Sequence, residues 1–236
     1  MVGVIVNTVA VIAGSLIGLL FKKGIPQKLT DAVMIGIGLC TLYIGISGAL
    51  EGKNALILIG SIAIGAIVGT ALDLDGLLNK LGDAVGRKTT KGGGTVSVAT
   101  GFVTASLLFC VGAMTIVGSL DAGLTGNNRL LFTKSLLDFI SSIVLSVSLG
   151  VGVMFSAAFV FVFQGLLVLA AQWLQPVLTP SAIAELTCAG SVIIIGLGLN
   201  LIGVTKIKVA NYLPAIVVAP LLSWLAPVVS GLIGRI

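Results

Sequence analysis

Residues 130 to 149 read Leu130-Leu131-Phe132-Thr133-Lys134-Ser135-Leu136-Leu137-Asp138-Phe139-Ile140-Ser141-Ser142-Ile143-Val144-Leu145-Ser146-Val147-Ser148-Leu149. A bilayer-spanning helix needs about 20 mostly apolar residues at roughly 1.5 Å rise each. This run has that length, contains neither proline nor glycine, and stops at the Gly150-Val151-Gly152 hinge. Asp138 lies near its centre, where an ionisable side chain costs roughly 2.5–3.5 kcal/mol on insertion scales. One stretch therefore names both a membrane helix and a residue with a reason to be inside it.

Working outward, seven further runs have the same character: 2–21, 32–50, 55–72, 96–120, 153–174, 182–203 and 213–234. Of the 236 residues 57% are hydrophobic and only 9% charged, with 32 glycines and no histidine. Soluble domains carry roughly 25% charged residues, so a water-soluble fold is excluded. The expected fold is all-α: a polytopic transmembrane helix bundle of about eight spans, one integral membrane domain over 1–236. Ahead of the first run there is no basic segment and behind it no small-residue cleavage site, only Lys22 and Lys23. It should be a retained helix and not a signal peptide.

The missing histidine removes the usual general base and zinc ligand at neutral pH, which disfavours rhomboid-like and zinc-dependent intramembrane proteolysis. No enzymatic activity and no cofactor is expected. Cys40, Cys110 and Cys188 all fall inside apolar runs and read as small buried hydrophobes, with no disulfide or metal framework. The net charge of +5 comes from basic residues clustered between apolar runs. That is a topology signal, and nucleic acid is not an expected partner.

Cytoplasmic loops carry the excess of Lys and Arg. One set of alternate loops holds Lys22, Lys23, Lys28, Lys80, Arg87, Lys88, Lys91, Lys206 and Lys208, nine in all. The other holds Lys53, Arg129, Lys134 and Arg235, four in all. In the inner membrane of a bacterium this places both termini outside and the loop 73–95 in the cytoplasm. Within that loop Leu74, Leu77, Leu78, Leu81 and Val85 recur at helical spacing, with Asp75, Lys80, Asp83 and Arg87 on other faces, the pattern of an interfacial amphipathic helix. The Arg87-Lys88-Thr89-Thr90-Lys91-Gly92-Gly93-Gly94 end reads as a flexible linker, with anionic headgroups as an alternative ligand.

An internal repeat is suggested. Lys28-Leu29-Thr30-Asp31-Ala32 precedes Gly36-Ile37-Gly38-Leu39, and Glu185-Leu186-Thr187-Cys188-Ala189 precedes Gly196-Leu197-Gly198-Leu199. The match needs gaps, and chance is the competing explanation in so Gly- and Leu-rich a chain. Because the two helices run in opposite directions by the loop count, a true duplication would be an inverted repeat, an arrangement common in secondary transporters. Ala10, Gly14 and Gly18, and Ser61, Gly65 and Gly69, follow small-xxx-small spacing, which lets helix backbones approach closely in lipid, within a protomer or between protomers. A homo-oligomer is expected.

Helical spacing stacks Ser135, Asp138, Ser142 and Ser146 on one face, a polar stripe of the kind an ion path needs. Asp138 could coordinate a cation, or carry a proton. The alternative is that it pairs with Lys134 one turn earlier and holds helices together. Gln164 sits at nearly the same depth in the next run, antiparallel through the glycine hinge. Asn7, Thr8, Tyr43 and Asn200 add polar atoms from other runs, each readable alone as interhelical glue. Together with Asp138 they would suit a partly dehydrated cation; the identity of any metal is open. Asp31, Asp73, Asp121 and Glu185 fall at expected helix ends and read as markers of the membrane edge, so only one acid is deep and an intramembrane aspartyl protease is disfavoured.

The run 96–120 is rich in Thr and Ser and contains Cys110-Val111-Gly112-Ala113-Met114-Thr115. It can break there and expose backbone carbonyls at depth, or Gly112 can serve close packing in an intact helix.

Several blocks together resemble the YdfK/YqgA-like family of bacterial inner-membrane proteins, domain of unknown function 554. They are Gly3-Val4-Ile5-Val6-Asn7, the segment Ser106 to Gly118, Lys134-Ser135-Leu136-Leu137-Asp138, Gln164-Gly165, Gly198-Leu199-Asn200 and Lys206 to Pro214. The resemblance covers essentially the whole chain. Ala113 stands where that family's pattern has proline and Phe139 where it has glycine, which implies a milder kink after Gly112. The resemblance brings no activity, but it implies that Asp138, Gln164, Asn7 and Asn200 share a site. The function expected is transport of a small cation or cation-coupled solute along Asp138, Gln164, Ser135, Ser142, Asn7 and Asn200. A non-transporting scaffold or subunit, or a channel, is the alternative.

Overall fold

The computed structural model describes residues 1–22, 27–80 and 98–233. Its helices are α1 (Val2–Lys22), α2 (Gln27–Ala49), α3 (Ala55–Ala71), α4 (described over Leu74–Lys80), α5 (Val98–Cys110) and α6 (Ala113–Leu124). They continue with α7 (Arg129–Leu149), α8 (Gly152–Leu169), the single turn α9 (Ala171–Leu174), α10 (Pro180–Leu201) and α11 (Ala215–Ile233), a 3-10 turn at Val209–Tyr212 preceding the last. Local chemistry sets several boundaries. The Asn54 side chain accepts from the amides of Leu56 and Ile57 at the start of α3, and Thr179 accepts from Ala182 just ahead of Pro180, as N-caps do. Between α7 and α8 the chain turns at Gly150 with φ 76°, a conformation that costs glycine little.

Six spans are long and apolar enough to cross a membrane, and two bent pairs bring the number to as many as eight. The pair α3 and α4 bends by 53°, and α5 and α6 by 61°. Gly101 of α5 lies against Leu149 and Gly152, at one end of α7, while Gly118 of α6 lies against Leu130 and Leu131 at the other. Together α5 and α6 thus run the full length of α7, and they count as one broken span.

Contacts between helices fix their relative directions. Along α1 and α7, Gly3 meets Leu131, Gly14 meets Phe139 and Ser142, and Gly18 meets Ile143 and Ser146, so the two run parallel. The pair α3 and α11 is antiparallel, with Gly60 against Leu222, Gly65 against Ala215 and Gly69 against Asn211. These directions match a chain that reverses at each of eight spans. Both small-residue seams lie inside the protomer, where glycine lets backbones touch and gain dispersion contact, the main attraction available in lipid. Neither seam is free to join two copies.

Across α2 and α10 the contact is reciprocal. Gly38 packs against Leu201 and Ile202, while Gly198 packs against Leu42 and the Gly38 carbonyl. Gly198 follows Gly38, and Ile202 follows Leu42, at one common offset in the chain. Such a local two-fold is what an inverted repeat requires. Carried to whole units, α1, α2 and α3 would correspond to α8, α10 and α11, and each of these pairs touches.

At Gly112 the backbone takes φ 152° and ψ 146°, a region essentially restricted to glycine. The break is sharp and not the mild kink that Ala113 in place of proline suggested, because glycine alone supplies the conformation. Across it Thr115 Oγ1 donates to the Phe109 carbonyl at 3.0 Å, occupying an acceptor that the interrupted helix leaves over. Gly112→Ala is expected to lower stability by about 1–3 kcal/mol, seen as a lower thermal unfolding midpoint. A Cβ there would meet no atom within 4 Å, so an unchanged midpoint would rule out backbone strain as the glycine's role.

Two expectations need correction. Cys40 is exposed, not buried, since α2 turns that face outward. Tyr43, 73% exposed, supplies no polar atom to the interior. Glu185, expected at a helix end, lies in the first turns of α10, where it is 1% exposed and accepts a hydrogen bond at 2.9 Å from the Lys53 amide in the connection between α2 and α3. In the 73–95 loop, Leu74, Leu77 and Leu78 do fall on a helix. Leu81, Asp83, Val85 and the stretch from Arg87 to Gly94 lie outside the described residues, as do Lys23 and Arg235.

Candidate functional site

Three helices bring polar side chains together at the centre of the bundle. Midway along α7, Asp138 is 5% exposed; one turn earlier Lys134 is 6% exposed. A lysine this close to the start of a membrane helix ordinarily extends its ammonium toward the interface. Here it turns inward, and Lys134 Nζ donates to Asp138 Oδ1 at 2.8 Å and to Oδ2 at 2.7 Å. From α1, Asn7 Nδ2 donates to Asp138 Oδ2 at 3.0 Å and to Gln164 Oε1 on α8 at 3.2 Å. Asn7 and Gln164 are both wholly buried.

The amide orientations follow from the carboxylate. Asp138 is an acceptor, so Asn7 must present its NH₂, and Gln164 in turn must present its oxygen. That leaves Asn7 Oδ1 and Gln164 Nε2 buried without a hydrogen-bond partner, one acceptor and one donor. A carboxylate has room for about four donors, and the three bonds just described leave one place open.

Asp138, Asn7 and Gln164 are therefore brought together, with Asn7 as the bridge between the other two. Ser135 and Ser142 stand on the same face of α7, but their hydroxyls donate to the carbonyls of Leu131 and Phe139 on their own helix. Ser142 is pressed against Gly14 and Ser146 against Gly18. The serine stripe is a close-packed seam with α1, not an open path. Thr8 likewise donates to Val4 within α1. Asn200 is not part of the cluster. At the end of α10 its Nδ2 donates to the Ile207 carbonyl at 2.7 Å, while its Oδ1 accepts from Thr205 and from the Ile207 amide. Its amide clamps the loop that follows, both acceptor positions and one of its two N–H donors being used there. Sequence reading also missed a contribution from α2, whose Ile37, Thr41 and Ile44 line a cavity of about 450 Å³ together with Asp138. The only signal for it was Gly36-Ile37-Gly38, which reads equally well as packing.

Among the described residues no group of three or more Cys, Asp or Glu side chains is placed to hold a metal ion. The cluster instead offers one carboxylate, already carrying an ammonium, with two carboxamides behind it.

The family model described as "Protein of unknown function (DUF554)" matches residues 2–224. The chain belongs to that family. It is 35% identical over 224 residues to "Uncharacterized membrane protein YdfK" of Bacillus subtilis (strain 168), covering 93% of this chain and 94% of the relative. It is 28% identical over 225 residues to "Uncharacterized protein YqgA" of Escherichia coli (strain K12), covering 94% and 96%. No solved structure matches. With its apolar spans and a membrane protein as relative, this member of DUF554 is a multi-pass membrane protein.

Proposed function

We propose that this DUF554 protein is a carrier for a small cation, or for a solute coupled to one, in the bacterial inner membrane with both termini outside. The observation that carries the reading is the buried Lys134–Asp138 pair at the centre of α7, bridged through Asn7 to Gln164. Burying two charges is costly and such pairs often stabilise less than apolar residues of the same size, so a buried pair calls for a role beyond stability. Lys134 acts as a tethered cation: the cargo displaces its ammonium from Asp138, and its return expels the cargo. Asn7 and Gln164 lie on α1 and α8, helices that the inverted repeat would relate, and transporters place their sites at such repeat interfaces. A homo-oligomer would form through lipid-facing surfaces of the bundle.

A scaffold is the second reading, favoured by the fact that Lys134 engages both Asp138 oxygens at once. Flux in proteoliposomes with H⁺, Na⁺, K⁺ or a divalent ion, wild type beside Asp138→Asn, separates the two. The carrier predicts saturable flux that falls at least about tenfold, ~1.4 kcal/mol, in the variant. A folded Asp138→Asn protein with full flux would sink it. Absence of flux from folded wild type under every gradient, with Asp138→Asn affecting stability alone, would favour the scaffold.

A further inference from the structure

The cavity beside Asp138 says more about the cargo than the ion pair does. It lies between α2, α5 and α7, and its volume of about 450 Å³ is within the range of small-molecule sites, roughly 300–1,000 Å³. Buried Ile37, Phe109 and Leu145 line it, with Asp138 as its one charged wall residue. Its other polar atoms are few: the hydroxyls of Thr41 and Ser141 and the thiol of Cys40. Thr41 already donates to the Ile37 carbonyl at 2.8 Å.

A hard inorganic cation takes about six to eight oxygen ligands, far more than one shared carboxylate and two hydroxyls provide. An apolar wall does nothing for such an ion. The same wall is complementary to hydrocarbon, and the carboxylate at its edge to an ammonium, whose N–H groups can bond Asp138 as Lys134 does now. Ile44 at 49%, Ile140 at 52% and Val144 at 46% exposure border the cavity, so it opens sideways on the outer surface of the bundle, where an amphiphilic molecule arrives from the bilayer.

We infer that the cargo is an apolar organic ammonium, a primary amine with a hydrocarbon body, whose body fills the α2–α5–α7 cavity while its nitrogen replaces Lys134 on Asp138. The inference rests on the carrier reading and gives it a substrate class.

Gly36 supplies the test. It lines the cavity on α2, and a Cβ built there meets nothing within 4 Å. Leucine at that position is also better suited to a helix than glycine. Gly36→Leu should therefore keep the fold and fill the cavity. Equilibrium binding of radiolabelled benzylammonium to the purified full chain would be measured, with methylammonium and benzyl alcohol as competitors. The first competitor keeps the charge without the hydrocarbon, and the second keeps the hydrocarbon without the charge. Benzylammonium is expected to bind saturably, with both competitors at least about tenfold weaker. Gly36→Leu should lose at least about tenfold in affinity while its unfolding midpoint without ligand stays at or above that of wild type. Equal competition by methylammonium or benzyl alcohol, no saturable binding, or wild-type affinity in a folded Gly36→Leu protein would overturn the assignment. Asp138-dependent flux of Na⁺, K⁺ or H⁺ alongside such a result would leave the carrier reading standing; its absence would remove that reading as well.

Discussion

Asp138→Asn should destabilise the protein by about 3–5 kcal/mol, the range for breaking a buried ion pair and leaving one charge unpaired. The stranded group is the Lys134 ammonium, which is 6% exposed and donates to both Asp138 oxygens. Replacing both partners with apolar residues, Lys134→Met with Asp138→Leu, should recover most of the loss, because paired replacement of buried charges is often neutral or stabilising by about 1–4 kcal/mol. Thermal unfolding of the two single variants and the double variant measures the coupling directly. The carrier reading adds that the rescued double variant stays inactive in flux. A double variant less stable than either single one would mean that the pair holds the bundle together beyond its own charges, as the scaffold reading has it.

Substitution of Gly14 by leucine should be as damaging, for a different reason. A Cβ at Gly14 would collide with the Ser142 hydroxyl and with the Phe139 carbonyl, and the latter belongs to backbone that cannot rotate away. α1 must then move off α7. Overpacking typically costs about 1–3 kcal/mol and occasionally more; a leucine placed against backbone belongs at or beyond the upper end. Since Asn7 is two turns along the same helix, the displacement also draws its amide away from Asp138 and Gln164. Gly14→Leu is therefore expected to lose both stability and flux, whereas Gly36→Leu loses ligand binding, and with it flux of that ligand, at undiminished stability. Measuring unfolding midpoints and flux for both would show whether the α1–α7 seam positions the network. A Gly14→Leu protein with the wild-type midpoint and flux would break that link.

Much of the architecture was legible because lipid imposes a simple rule. Every backbone polar group must be satisfied within its own segment, so apolar length alone locates helices, and the eight runs coincide with α1, α2, α3, α5 with α6, α7, α8 with α9, α10 and α11 within a few residues. Asp138 was legible for a related reason: a charge at that depth is expensive enough to stand out. Its pairing with Lys134 could be anticipated from i,i+4 spacing.

What could not be read is which face meets which helix. Asn7 and Asn200 look alike in sequence, each a lone amide in an apolar run. Asn7 proves to bridge two helices, while Asn200 clamps a loop that begins two residues after it, and nothing local distinguishes the two roles. Glu185 was legible as a residue near a helix end, but not its partner, the Lys53 amide, which the α2–α3 turn delivers from 132 residues away. The serine stripe kept its geometry and changed its meaning, since Gly14 and Gly18 of α1 close against it.

Composition, hydrophobic run length and the depth of one carboxylate are properties of single segments, and the chain alone determined from them a multi-pass helical membrane protein with Asp138 at its centre. Only the tertiary structure decided that Asp138 shares its charge with Lys134, that Asn7 joins it to Gln164, and that α2 leaves a lateral cavity beside it. Those are distances between helices far apart in sequence. They are set by where glycine lets two backbones touch, and hydropathy carries no record of that.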